Sequence, residues 1–249
     1  CTLFERGSRT IRLTEAGETL YNYSRSLLQL SNVAKQETMN AARHFNGVLR
    51  IGIVSSLIGS DALGWLCGFS KQYPGIHYEI NEADTYHLLS QFETNAIHLA
   101  LLRTPFHTDS LTCKKLFTDS LVAVGQESFF ADNRSSAITL DDLTKLALIV
   151  YRRWEHLLRK EFEDKNLSAN WFCINDDART TLYFVEMGMG VGIIPQSAAT
   201  LVQKKGIVCR PVKNCDIATD VVLAYNSTYL PECSRAFIEY LDTLYPDIP

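Results

Sequence analysis

The residues of this chain best placed to do chemistry sit where short apolar runs end in a polar or charged group. Ser55 and Ser56, with Leu57, follow "RIGIV". A serine pair opening a helix offers hydroxyls and free backbone N–H groups to an anion. Arg103 and Thr104 close "HLALLR", and an arginine aimed at the mouth of a cleft can fork onto a carboxylate. Tyr151 and Arg152 close "LALIVYR". Strand alternation sends one of Arg152 and Arg153 to the cleft and the other to solvent, and Arg152 is taken for the cleft. Gly192 and Ile193, in "GVGIIP", would bring backbone close to a bound ligand. All four stretches suit binding rather than bond-making.

Covalent and metal chemistry find no support. The sequence holds no GxSxG, HExxH or P-loop pattern, and its six histidines show no spacing to a nucleophile. "GMGVG" has alternate glycines but follows a helical segment and precedes a strand, the reverse of a dinucleotide cradle. The seven cysteines form no CxxC pair and no zinc-ligand spacing, which fits reduced thiols. Cys209 lies in an apolar strand, where a thiol is usually inert packing. The expectation is a protein that is not an enzyme and needs no metal or cofactor.

The elements that must position these residues alternate. After Gly47 the strands "VLRIGIV", "IHYEINEA" and "IHLALLR" are separated by the helices "DALGWLCGFSKQ" and "TYHLLSQFET". "KKLFTDSLVAVG" reads as a strand or a pair, with a hinge-like break at Gly125. A second cycle follows: "LALIVYR", "WEHLLRKEFEDKN", "ANWFCIN", "ARTTLYFVEMG", "VGIIP", a helix "SAATLVQKK" and "GIVCRPV". "DVVLAYN" and "PECSRAFIEYLDTLY" close the chain. This alternation predicts an α/β protein of two doubly wound, Rossmann-like lobes joined by two crossovers, with a cleft between them. Lobe I takes approximately 47–125 and 214–249, and lobe II approximately 126–213. Ligands in such sheets gather beyond the carboxyl ends of the strands.

The first 46 residues differ in texture. Gly7 and Ser8 turn a small hairpin over residues 1–13, with Arg6, Arg9 and Arg12 near its tip and edge. Thr14 is the expected N-cap of a helix over 14–46. Leu20, Tyr23, Leu27, Leu30 and Ala34 form its heptad-like seam. Such a helix, roughly 30 residues and about 45 Å long, cannot bury that seam on a short hairpin. It calls for a second copy, in a dimer or tetramer. Residues 1–50 carry seven basic and four acidic side chains, whereas the remaining 199 carry 17 and 24. A basic end on an acidic body suggests that this end meets a polyanion. No apolar run is long enough to span a bilayer and no signal segment opens the chain, so a cytoplasmic protein without membrane contact is expected.

These residues resemble a known family. "LFERGSRTIRLTEAGETL" is similar to the wing and linker-helix start of LysR-type bacterial transcriptional regulators. "GVLRIGIVSS", "FSKQYPGIHYEI", "HLALLRT", "LVAVG" and "EMGMGVGIIPQ" follow in the order of that family's effector-binding domain. The resemblance implies a periplasmic-binding-protein-like domain over 47–249 and a remnant of a winged helix-turn-helix at 1–13, with the recognition helix lying outside this chain. It implies allosteric control by a small, anionic metabolite, a carboxylate bound between the lobes. It also implies that Arg6, Arg9 and Arg12 touch DNA phosphates in the intact protein. The alternative with the same two-lobe clamp is a solute-binding protein of an uptake system. That protein would be monomeric and would lack the seam.

Overall fold

The computed structural model of the chain describes residues 1–6, 11–21, 23–24, 27, 47–131, 135–202, 204–228 and 230–245. The opening is a two-stranded antiparallel hairpin, β1 (Phe4–Arg6) and β2 (Ile11–Leu13), with Glu5 opposite Arg12. Arg12 is exposed, and Arg9 lies outside the described residues. Residues 15–21 are helical. Thr14 caps this start, its Oγ1 accepting from the Gly17 amide at 3.0 Å. Leu20, Tyr23 and Leu27 are 49%, 68% and 65% exposed in the single chain, so their apolar surface is uncovered. Leu30 and Ala34 lie outside the described residues.

The body is built on one ten-stranded mixed sheet. Its first parallel set is β4 (Ile76–Ala83), β3 (Gly47–Val54) and β5 (Leu99–Arg103). Its second is β10 (Val191–Pro195), β8 (Ala147–Tyr151) and β9 (Asn170–Asn175). Between the sets run two antiparallel strands, β6 (Thr112–Gln126) and β12 (Ala218–Tyr225). Strand β11 (Ile207–Lys213) pairs with β6 and with the short β7 (Ile138–Thr139). Every residue of β5 and β10 is buried, as expected where helices cover both faces of a sheet.

Two separate hydrophobic cores result. One gathers Leu49, Ile51, Phe69, Leu101 and Phe237, the other Val124, Ile149, Trp154, Leu182 and Ile193. The first core is covered by helices α1 (Asp61–Gln72), α2 (Thr85–Glu93) and the C-terminal α6 (Glu232–Leu244). The second is covered by α3 (Leu140–Leu143), α4 (Arg152–Asp164) and α5 (Ala178–Glu186). Helix α4 shows why: Trp154, Leu158 and Phe162, four residues apart, form its buried stripe. Each such side chain contributes about 1.5–3 kcal/mol on burial. Among the described residues no helix is long and apolar enough to cross a membrane.

Two expectations are corrected. Residues 114–125 lie in a single strand that continues through Gly125, and β6 leaves the first core at Leu116 and enters the second at Leu121. Gly125 is needed for close packing instead of hinging, since a Cβ there would stand 2.9 Å from the Phe130 ring and 3.0 Å from Val191. The helix expected over "SAATLVQKK" is a 3-10 segment, Gln196–Leu201. Thr200 Oγ1 donates to the Ser197 carbonyl at 3.0 Å, a local bond of the kind that competes with an α-helical ladder.

Candidate functional site

A cavity of about 720 Å³ lies between the lobes, beyond the carboxyl ends of β3, β4, β8 and β9. Three helices begin at it. Asp84 caps α2, its Oδ1 accepting from the amides of Tyr86 at 2.9 Å and His87 at 3.0 Å. Asp177 caps α5, its Oδ1 accepting from the Arg179 amide at 2.7 Å. Helix α4 starts at Tyr151 with no capping side chain. Its first-turn N–H groups and dipole therefore offer a positive end.

The wall carries four carboxylates, Glu82, Asp84, Asp176 and Asp177, and two guanidiniums, Arg152 and Arg153. Arg179 grips Asp177 at 2.8 and 3.1 Å and reaches across the cleft to Glu82 at 3.2 Å. Burial pushes the Asp177 carboxyl up, but the Arg179 bonds and the Ser55 hydroxyl outweigh it and hold the group below its ordinary value. Arg152 Nε meets Asp176 Oδ1 at 2.5 Å on the exposed rim.

Arg153 differs from all of these. Its Nη1 donates to Thr85 Oγ1 at 3.1 Å and its Nη2 to the Arg103 carbonyl. Its buried Nε has no acceptor among the described residues. Burial draws its guanidinium pKa below the ordinary arginine value. It is a largely desolvated cation on the cavity wall with no carboxylate in contact among the described residues.

The expected site residues separate into two groups. Ser55, Tyr151 and Arg152 line the cavity. Ser55 faces Tyr151 and Asp177 across the cleft, and burial raises the Tyr151 phenol. Arg103, Ser56, Leu57, Thr104, Gly192 and Ile193 do not line it. Arg103 is fully buried beneath the floor, corrected from its expected place at the mouth. Its Nε donates to Ser56 Oγ at 2.9 Å, its Nη2 to Ser197 Oγ at 2.6 Å, and its Nη1 pairs with Asp119 at 2.8 Å. With an internal anion in place, this guanidinium has little left for a ligand. Leu57 and Ile193 are core residues. Thr104 ties the end of β5 to β12, its Oγ1 accepting from the Asp220 amide at 2.9 Å. Gly192 lies against α5, where a Cβ would meet Thr181 at 2.8 Å and Val185 at 2.9 Å.

The alternation rule failed at Arg152 and Arg153 because β8 ends at Tyr151 and both arginines belong to α4. Successive residues there are turned by about 100°. Arg153 thereby falls on the inter-lobe side and Arg152 on the rim. Asp84 and Asp177 also went unread, although each stands at the N-cap position between a strand and a helix, a pattern visible in "NEADTYH" and "NDDARTT". Cys209 is corrected too: it faces solvent on β11, while packing near its sulfur pushes the thiol up, as burial does for Cys215. Among the described residues no group of three or more His, Cys, Asp or Glu is placed to hold a metal.

Comparison with known proteins is consistent across sequence and fold. The chain is 23% identical over 250 residues to the HTH-type transcriptional regulator BudR of Raoultella terrigena, spanning 95% of this chain and 83% of that protein. It is 23% identical over 246 residues to the HTH-type transcriptional regulator CzcR of Bacillus anthracis, spanning 96% and 81%. The crystal structure of CbnR, a LysR family transcriptional regulator, superposes with a TM-score of 0.70 at 17% identity, covering 96% of this chain and 84% of that one. The effector-binding domain of QuiR in complex with shikimate also gives 0.70, at 15% identity, covering 82% and 100%. The BenM effector-binding domain with benzoate gives 0.66 at 18% identity, covering 80% and 92%. Residues 42–245 match the family profile of the LysR substrate binding domain. The chain belongs to the LysR family of transcriptional regulators, and 42–245 is its substrate-binding domain.

Proposed function

We propose that this chain is the sensing part of a cytoplasmic transcriptional regulator whose effector is a small carboxylate bound between the lobes. The observation that carries this reading is Arg153, a largely buried cation on the cavity wall with no carboxylate partner among the described residues. Shikimate and benzoate, named as ligands of two structural neighbours, are both carboxylates and agree with it.

The mechanism follows from what crosses the cleft. Arg153 on α4 holds the Arg103 carbonyl and Thr85 of the opposite lobe. Arg179 on α5 holds Glu82, and Ser55 meets Tyr151 and Asp177. An acid entering at Arg153 gives that guanidinium a charged partner and changes its hold on the opposite lobe. The lobe arrangement that binds the acid more tightly is then favoured. The lobe changes reach DNA through the helix that begins at Glu15, paired with a second copy along Leu20, Tyr23 and Leu27. Arg6, Arg9 and Arg12 rest on phosphates and set position without reading sequence.

A thermal-shift panel of carboxylates, sugars, phosphates and amines tests the reading. A true effector at 100 times its Kd stabilises the chain by about 2.7 kcal/mol. The expected result is a shift with one class of acid that disappears in Arg153→Gln. Shifts only with neutral sugars, or shifts untouched by the substitution, would contradict it.

A further inference from the structure

Among the described residues that line the cavity, one cation and one anion have no ion-pair partner. Glu82 and Asp177 are both taken by Arg179, and Asp176 by Arg152. Asp84 is the exception. Its Oδ1 serves the α2 cap, but Oδ2 accepts no hydrogen bond among the described residues. It lies close enough to Arg153 to attract it, yet the two form no ion pair within 4.0 Å. Beside this couple stands the uncapped start of α4.

Each simpler ligand leaves one of these charges badly served. A dicarboxylate would bring its second charge against a wall whose other cations are already engaged. A plain monocarboxylate would satisfy Arg153 while setting a second negative charge beside the exposed Asp84 carboxylate, a like-charge contact. A plain amine would do the reverse. A molecule with both charges satisfies both.

We propose that the effector is a zwitterion of the amino-acid type, its carboxylate on Arg153 and the first turn of α4, its ammonium on Asp84. This rests on the reading of the cavity as the effector site and adds the class of ligand. The side chain of the amino acid then lies toward Pro105, Tyr86 and Leu157, the less polar part of the wall.

The test is a thermal-shift screen of the full chain against the L-α-amino acids and short ω-amino acids, each beside its deaminated acid and its decarboxylated amine. Hits are followed by titration calorimetry. The expected result is binding by one zwitterion, with at least tenfold weaker binding of both analogues. Asp84→Asn retains a capping oxygen and so keeps the helix start. It is expected to weaken the zwitterion at least tenfold and to bring the deaminated acid level with it. Arg153→Gln is expected to weaken both. If a deaminated acid binds as tightly as its parent and the loss follows Arg153→Gln alone, the zwitterion is wrong and the cavity reading stands. If no acid, amine or zwitterion binds, both fall.

Discussion

Arg103 and Arg153 are both arginines near the ends of apolar strands, and their surroundings give them different tasks. Arg103 is enclosed, paired with Asp119, and bridged to Ser197 of the opposite lobe. Burial lowers its pKa and Asp119 works against that shift. Removing one member of a buried pair leaves an uncompensated charge, which costs about 3–5 kcal/mol. Asp119→Ala is therefore expected to lower the urea-unfolding free energy by about that much. A change below about 1 kcal/mol would mean that the pair is not closed as described. The double variant Arg103→Met with Asp119→Leu is expected to recover most of the loss, because no lone charge remains. The sequence made Arg103 visible through "LALLR", but not its partner. Asp119 lies sixteen residues away on a strand that changes lobes, so no local pattern joins them.

At the scale of elements, the apolar runs and their punctuation were readable. The strands "RIGIV", "LALL", "LIVY" and "VGIIP" are recognisable by continuous apolar character, because each is covered on both faces. What could not be read was the junction. A one-residue difference in where β8 ends exchanged the fates of Arg152 and Arg153, since helix and strand turn successive side chains by different angles. Gly192 belongs to this scale as well. Gly192→Ala would push β10 against Thr181 and Val185 of α5 and is expected to cost about 1–3 kcal/mol in chemical denaturation. No loss would show that α5 is free to shift. The start of α5 also carries a pH dependence. The Asp177 carboxyl lies below its ordinary 3.8 in the folded chain, so its stabilising contribution is complete above that pH. It is lost as pH falls through the lower folded value. Asp177→Asn is accordingly expected to flatten the acid limb of stability below about pH 4, measured by thermal melts across pH. An unchanged acid limb would count against the Arg179 bridge.

At the scale of the whole molecule, the two cores and the crossing strands explain why the cavity has the walls it does. Strands β6 and β12 fix the lobes at one side, and the polar contacts of Arg153, Arg179 and Ser197 tie them at the other. Those contacts are hydrogen bonds and ion pairs, not a shared core, so they can be exchanged for bonds to a ligand. The uncovered Leu20, Tyr23 and Leu27 point to a second copy. Light scattering is expected to give a dimer or larger, and Leu20→Glu with Leu27→Glu to weaken it; a monomeric parent chain would contradict that. The most direct test of the whole account is calorimetry with the best carboxylate-bearing hit on the parent chain, Arg153→Gln and Arg152→Gln. At least a tenfold loss of affinity is expected in Arg153→Gln, and less than a threefold change in Arg152→Gln. Equal affinity in the parent and Arg153→Gln would contradict it.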